Sequence, residues 1–427
     1  MRVLAFGSYD VRSHPRVAVL IEGLTAHGAE VREVNVPLGL DTAARVGMLR
    51  HPWRVPKLGL RLAKVWTTLT RRARSLRRSG WLPDVVLVGY LGHFDVLLAR
   101  RLFPGTPIVL DHLIFAADTA ADRGVSAGMA GRTIQALLRR LDAAALAAAD
   151  VIVLDTDEHA ALLADPGTAA APEAAERAVV VPVGAPQRWF AAGELAAQPA
   201  QDAQAGHDSP AVAAPAGLSV VFFGLFTPLQ GAPVIGEALG LLTAGDAVTV
   251  TMIGTGQDLA ATRSAAGVNA DASWIAWRDW VEPEDLPHLV AGHDVCLGIF
   301  STTAKGLRVV PNKVFQAAAA GCVVLTGDTA PQRRALGDAA VFVTPGDGAA
   351  LADALRLLAT DRPRLQQLRR AGRELAVRQF SPVAVTDPLW QRLQQWTSLA
   401  GGSPRSSPGP RLDPTIVPNP GPTEGPS

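Results

Sequence analysis

The run from Ser301 to Thr326, STTAKGLRVVPNKVFQAAAAGCVVLT, concentrates the residue types needed to hold a phosphate. Thr302, Thr303, Lys305 and Arg308 occupy a loop after an apolar strand pattern that ends at Phe300. Pro311 falls at the expected start of a helix, where its missing N–H costs nothing. Asn312 and Lys313 follow in the first turn. A lysine there opposes the helix dipole, which favours negative charge at that end. An anion docked on the exposed N–H groups would offset both, so Lys313 and Arg308 predict a phosphate site. A lysine simply facing water is the plain alternative.

A second turn of the same kind runs from Gly224 to Gly231, GLFTPLQG, with Thr227 as a hydroxyl inside it. Glycines on both sides of a strand-to-helix turn let backbone approach a ligand closely. Ile253-Gly254-Thr255-Gly256 also follows a strand pattern, but Leu259 stands where a dinucleotide fingerprint needs its third glycine. Gly254 therefore counts here as a further backbone contact for a nucleotide, not as a Rossmann signature. Asp155-Thr156-Asp157 ends a strand and precedes a helical run, so helix capping explains it better than a metal. No set of His, Asp and Glu has metal-ligand spacing, and no metal is expected.

In the first half, the strand pattern Pro107–Leu110 ends in Asp111-His112, with Asp118 and Arg123 soon after. A carboxylate and an imidazole at a strand's carboxyl end are candidates to orient or deprotonate an acceptor hydroxyl. A hydrogen-bonded structural pair is the alternative. Ser13, His14 and Arg16 in the first loop, and His93 after VVLVGY, are further residues expected at the same edge.

The elements that must position these groups alternate regularly. Continuous apolar runs at 2–6, 85–88, 107–110, 151–154 and 179–183 read as strands covered on both faces, with helical patterns between them. The second half repeats this with strands at 219–224, 249–254, around 274–277, 294–300 and 322–328. The reading is α/β: two Rossmann-like, doubly wound parallel-sheet domains facing across a cleft. The ligand belongs beyond the strands' carboxyl ends. The expected boundaries are 1–190 for the first domain, 191–217 for an Ala-rich flexible linker and 218–380 for the second domain. A helix at 381–400 follows, then a disordered tail at 401–427, where 17 of 27 residues are Pro, Gly or Ser.

The 427 residues are 48% hydrophobic and 19% charged, which excludes a disordered scaffold or a coiled coil. Two cysteines, Cys296 and Cys322, exclude a disulfide framework and read as buried, reduced thiols of an intracellular chain. The net charge of +1 conceals an asymmetry. Between Thr42 and Pro83 lie 11 of the 40 basic residues and no acidic one, leaving 29 basic against 39 acidic residues elsewhere. Within it, Leu58, Leu62, Val65, Leu69 and Leu76 recur near one side of a helix. Trp53, Trp66 and Trp81 lie in or beside it. Such a segment is expected to lie on an anionic membrane surface, or else to pack its leucines on its own domain. No recognition motif accompanies the charge, so nucleic acid is not the expected partner. The absence of a spanning run or a leader pattern predicts a cytoplasmic protein, and the basic segment would place it on the inner face of the membrane.

FFGLFTPLQGAPVIGEALGLL, TMIGTGQ, DVCLGIF, PNKVFQAAAAGCVVLTGDTAPQRRAL and VFVTPGDGAALADAL, in this order, resemble the nucleotide-sugar half of the family 4 retaining glycosyltransferases. The resemblance is close over about 219–358 and looser in the first half. It implies the GT-B arrangement, a nucleotide-diphosphate sugar as co-substrate with no other cofactor, retention, and no obligatory metal. It also implies hexosyl transfer in glycan biosynthesis, to a glycan, lipid-linked or small-molecule acceptor, and a last helix that returns to the first domain. By resemblance, Gly224 to Gly231 contact the diphosphate and Asn312 and Lys313 stand beside it. Asp111-His112 match the loop that meets the donor sugar or acceptor. Gln316 stands where the family usually has the Glu that grips the ribose, and Arg308 replaces a second Glu eight residues earlier. Leu225 and Gln230 replace the usual cations of the diphosphate turn, which leaves Arg308, Lys305 and Lys313 to supply the charge. A catalytically inactive nucleotide-sugar-like binding protein, or a nucleotide-sugar epimerase on the same fold, are the alternatives.

Overall fold

The computed structural model describes residues 1–11, 14–39, 55–122, 128–165, 168, 170, 172–198 and 217–400. Ser13, Trp53, Arg123, most of the expected linker and the tail at 401–427 lie outside them.

The two expected parallel sheets are present, six strands each. The first contains β1 (Arg2–Gly7), β2 (Glu30–Asn35), β3 (Val85–Val88), β4 (Ile108–Asp111), β5 (Val151–Leu154) and β6 (Ala178–Val180). Their order is β2-β1-β3-β4-β5-β6. Among the described residues six helices belong to this half: α1 (Arg16–Ala26), α2 (Val55–Arg78), α3 (Asp95–Leu102), α4 (Ala116–Asp122), α5 (Gly128–Ala148) and, after β5, α6 (Asp157–Ala161). Strands β3, β4 and β5 are buried at every position, which is why their sequences are unbroken apolar runs.

After α7 (Gln187–Ala197), the second sheet contains β7 (Leu218–Phe223), β8 (Val248–Ile253), β9 (Ile275–Arg278), β10 (Val295–Leu297), β11 (Val323–Gly327) and β12 (Ala340–Val343). Its order, β12-β11-β10-β7-β8-β9, reverses direction between β7 and β10. At such a switch point the loops leaving two neighbouring strands diverge, and a crevice opens at their carboxyl ends. The loops there are Gly224–Gly231 and the segment after β10. Helices α8 (Ala232–Leu241), α9 (Leu259–Ala266), α10 (Leu286–Ala291), α11 (Asn312–Ala319), α12 (Ala330–Leu336), α13 (Gly348–Thr360) and α14 (Arg362–Gln379) complete this half. Cys296 and Cys322 are free and buried, and burial pushes the Cys322 thiol up to about 12.

The exchange between domains differs from the expected boundaries. Residues 191–197 are not linker but the end of α7, whose Trp189 and Phe190 share a core with Val314, Phe315 and Phe380 of the second half. Buried aromatic residues tie this helix to the second domain although it precedes the break in sequence. In return, α15 (Pro382–Ala400) packs Val385, Leu389 and Leu393 among Val3, Leu20 and Leu24 of the first domain. The two crossings meet where the Ala185 N–H donates to the Phe380 carbonyl at 2.9 Å. Gly23 on α1 makes the docking of α15 possible, because a Cβ there would fall on the Pro382 carbonyl and the Thr386 side chain.

Helix α2 packs its leucine stripe on its own domain, the second of the two expected readings. Val65, Leu69 and Ala73 are buried in the core of the first sheet, with Leu58 and Leu76 packed against them. Trp66 donates its ring N–H to Asp95 and Trp81 to Glu30. The apolar side is therefore spent on the domain, because a leucine stripe beside an apolar sheet buries there at least as favourably as in a headgroup layer. What faces outward is basic: Lys57, Arg61, Lys64, Arg71, Arg74 and Arg78 are exposed. Among the described residues no helix is long and apolar enough to cross a membrane.

Candidate functional site

Strand β7 delivers the backbone to Gly224 at the switch point. The turn that follows closes with a short 3-10 segment, Pro228–Gln230, and with Gly231 in the left-handed conformation at φ +62°. Only glycine fits at 231, since a Cβ would strike the backbone of Phe300 and Ser301 in the loop after β10. Thr227 is buried within the turn. Gly254 lies against the same turn. A Cβ there would fall on the carbonyl oxygen of Gly224, so this glycine lets the β8 loop support the β7 turn from beside it.

Lys313, in the first turn of α11, lies directly under that turn. A Cβ built on Gly224 would stand 3.4 Å from its Nζ. The ammonium sits 3.6 Å from the centre of the Phe222 ring and has no hydrogen-bond partner. The side chain is 4% exposed, which excludes the water-facing alternative. Burial brings its pKa down to about 7, only partly opposed by Cys296. A cation–π contact offsets some of the lost hydration but provides no acceptor. A buried cation at a helix start, opposed by the dipole and short of an anion, is poised to accept one. Gln316, one turn further along α11, is also buried.

Lys305 and Arg308 do not join Lys313. Lys305 Nζ donates to Thr119 on α4 at 2.8 Å. Arg308 forms an ion pair with Asp118 at 3.0 Å, while its carbonyl accepts from Thr156. Arg308 was expected beside Lys313 at one anion; here it is turned to Asp118. A part-buried carboxylate across the cleft captures the guanidinium, and this loop serves as a clamp between domains. Ser301, which the sequence did not single out, orders the loop through Thr303 Oγ1 at 3.0 Å, and Thr303 Oγ1 in turn accepts the Gly306 N–H.

On the first-domain side, the direction of strand order changes between β1 and β3, and their loops meet as well. His14 stacks on Tyr90 with ring centres 4.1 Å apart and lies 3.2 Å from the side-chain amide of Asn312. Burial, with Arg16 adding to it, holds the His14 imidazole neutral, its pKa down to about 3. Arg16 is wholly buried. Its Nε donates to Asp111 at 3.1 Å and its Nη1 to the Pro182 carbonyl at 2.6 Å. Burial raises the Asp111 carboxyl while Arg16 opposes the rise.

Asp111 and His112 were expected to face the acceptor. Instead they are enclosed, at 1% and 2% exposure. Asp111 is held by Arg16, and neither ring nitrogen of His112 has a hydrogen-bond partner. The reason is tertiary: Phe115 packs edge-on over the His112 ring at 4.7 Å, His93 flanks it at 5.0 Å, and neighbouring Leu113 enters the core shared by the domains. Thr156 caps α6 by accepting the His159 N–H, and Asp155 meets His159 Nδ1 at 2.5 Å. Asp142 was missed altogether. It stands 3.0 Å from His93 although 49 residues separate them, and no local pattern marks it. Burial alone would raise its carboxyl; the neighbouring His93 and the Ala116 N–H outweigh that and hold it below the usual range.

This architecture of paired switch points has known counterparts. Anabaena HepE in complex with UDP-glucose superposes with a TM-score of 0.59 at 14% identity, over 93% of this chain and 100% of that one. Sucrose-phosphate synthase from Thermosynechococcus elongatus gives 0.62 at 15%, over 94% and 99%. An alpha,alpha-trehalose-phosphate synthase (UDP-forming) from Burkholderia xenovorans, in complex with glucose-6-phosphate, gives 0.52 at 16%, over 77% of each. The fold is that of the GT-B glycosyltransferases. Residues 246–390 match the family described as glycosyl transferase-like, a stretch that includes Arg308, Asn312, Lys313 and Gln316. No curated protein matches the chain.

Proposed function

We propose that the protein transfers a hexose from a nucleotide-diphosphate sugar to an acceptor hydroxyl, with retention of anomeric configuration. The observation that carries this reading is Lys313, a buried ammonium without a partner beneath the Gly224 turn. Cleaving a sugar–phosphate bond leaves negative charge on the departing diphosphate, and preorganised donors stabilise it most when water is excluded. Lys313 and the first N–H groups of α11 supply such donors without a metal at the diphosphate. Gln316, on the same side of α11 as Lys313, offers an amide for a ribose hydroxyl in place of the family's glutamate. Across the cleft, His14 and Tyr90 lie on the side from which an acceptor would enter. The complex of HepE with UDP-glucose makes a uridine nucleotide the first donor to try. The basic face of α2 favours an acceptor held at an anionic surface, the inner face of a membrane included.

The test is release of nucleoside diphosphate from uridine, guanosine, adenosine and thymidine diphosphate sugars, combined with direct binding of each nucleotide. Binding of one diphosphate in preference to its nucleoside, lost in Lys313→Ala, is expected. Binding without turnover for any acceptor would favour the inactive binding protein, a reading helped by the engagement of Arg308 with Asp118. A new sugar formed without acceptor would favour an epimerase. No preference for diphosphate over nucleoside would overturn the site.

A further inference from the structure

Four of the nine histidines, at positions 14, 93, 112 and 159, follow strands of the first sheet at its carboxyl edge. Two of them converge with a carboxylate. One potential ligand atom each from His93, His112 and Asp142 lies within 4.8 Å of the others, and all three residues are buried. His93 Nε2 stands 3.0 Å from Asp142 Oδ1, yet the nitrogen counts no aligned hydrogen bond. The two atoms are thus close but not aligned as donor and acceptor, and Asp142 does not satisfy this nitrogen. His112 completes the set, with both ring nitrogens enclosed and unpartnered. A neutral imidazole buried with neither nitrogen satisfied costs free energy unless a ligand takes a lone pair.

We propose that His93, His112 and Asp142 form a binding site for a divalent transition metal of the zinc type. Two imidazoles and one carboxylate suit Zn2+ and its first-row neighbours and do not suit Mg2+ or Ca2+, which take oxygen ligands. The carboxylate is oriented from behind, as metal ligands usually are. Asp142 Oδ1 accepts the Ala116 N–H at 2.9 Å and Oδ2 the Ala117 N–H at 3.2 Å. With metal bonds of about 2 Å, ligand atoms sit roughly 3.3 Å apart, so side-chain rotation alone closes the set. The ion would join the β3 and β4 loops to α5. His112 then serves as a ligand and not as the base its position in sequence suggested. This site is separate from the donor reading and stands or falls without it.

The experiment uses the untagged full chain, stripped with chelator and then exposed to Zn2+, Co2+ or Mg2+. One equivalent of Zn2+ should survive gel filtration and raise Tm, and Mg2+ should do neither. His112→Gln, His93→Gln and Asp142→Asn should each weaken Zn2+ binding on the order of 100-fold or more. No retained zinc and no shift in Tm would overturn the proposal. So would zinc retained equally by all three variants. Should a variant fail to fold, the Co2+-loaded native chain decides: hyperfine-shifted ring N–H signals from two histidines are expected, and their absence overturns the site.

Discussion

His14, from the first loop of the first domain, meets Asn312, at the start of a helix in the second, at 3.2 Å. The contact joins the two switch-point loops directly. His14→Ala should therefore lower turnover while leaving nucleoside diphosphate affinity nearly unchanged, because the proposed donor contacts lie in the other domain. Asn312→Ala, beside Lys313, should weaken both. Calorimetric titration with the diphosphate, paired with a turnover assay, distinguishes the two patterns. Equal donor affinity in both variants would detach Asn312 from the site.

Lys313 makes stability and binding depend on pH in opposite senses. Its folded pKa of about 7 lies below the ordinary 10.5, so between these values the unfolded chain binds more protons. Stability attributable to this group should rise with pH across that window, by at most about 1.4 kcal/mol per unit. Below pH 7 its full penalty remains. Lys313→Met should flatten the slope in denaturant titrations from pH 7 to 10. A diphosphate selects the charged form, so its binding should take up a proton above neutrality and weaken as pH rises. Calorimetry in buffers of different ionisation enthalpy measures that proton.

Arg16 and Asp111 form a fully buried pair. Asp111→Ala leaves the guanidinium without its carboxylate and should cost about 3–5 kcal/mol. Replacing both, as Arg16→Met with Asp111→Leu, should recover much of that loss, since an apolar pair of similar bulk carries no desolvation penalty. Urea unfolding of the single and double variants checks the coupling. A single variant as stable as the native chain would show that the pair contributes nothing.

The outward face of α2 is basic apart from the exposed Leu60, and Leu58, Leu69 and Leu76 are spent on the core. Binding to vesicles should therefore require acidic lipid and disappear at high salt, as expected for contact through charge alone. Replacing Lys57, Arg61 and Lys64 by Gln should reduce cosedimentation without a change in Tm. Salt-resistant binding would mean that apolar residues insert after all.

Replacing Gly231 with Ala should prevent the β7 turn from seating against Ser301, and it adds strain at φ +62°. A loss of nucleotide affinity is expected with little change in far-ultraviolet circular dichroism. Unchanged affinity would show that the turn does not shape the site.

By itself, the sequence determined the two parallel sheets, because strands buried on both faces need unbroken apolar runs such as VVLV and VIVL. It also placed the Gly224–Gly231 turn and the α11 start, where backbone conformation and the helix dipole restrict residue choice locally. It read Thr156 as a cap for the same reason. Long-range pairing decided the rest. Arg308 and Lys313 are five residues apart, yet one is drawn across the cleft by Asp118 and the other is left alone beneath Gly224. Asp111-His112 looks like an exposed pair at a strand end until Arg16, Phe115 and Leu113 close over it. Asp142 reaches His93 only through the packing of α5 beside α3 over the first sheet. The leucines of α2 could have met lipid or protein with the same periodicity, and only the nearby sheet settled which. Local pattern fixes what a residue can do; burial and partners at great sequence separation fix what it is free to do.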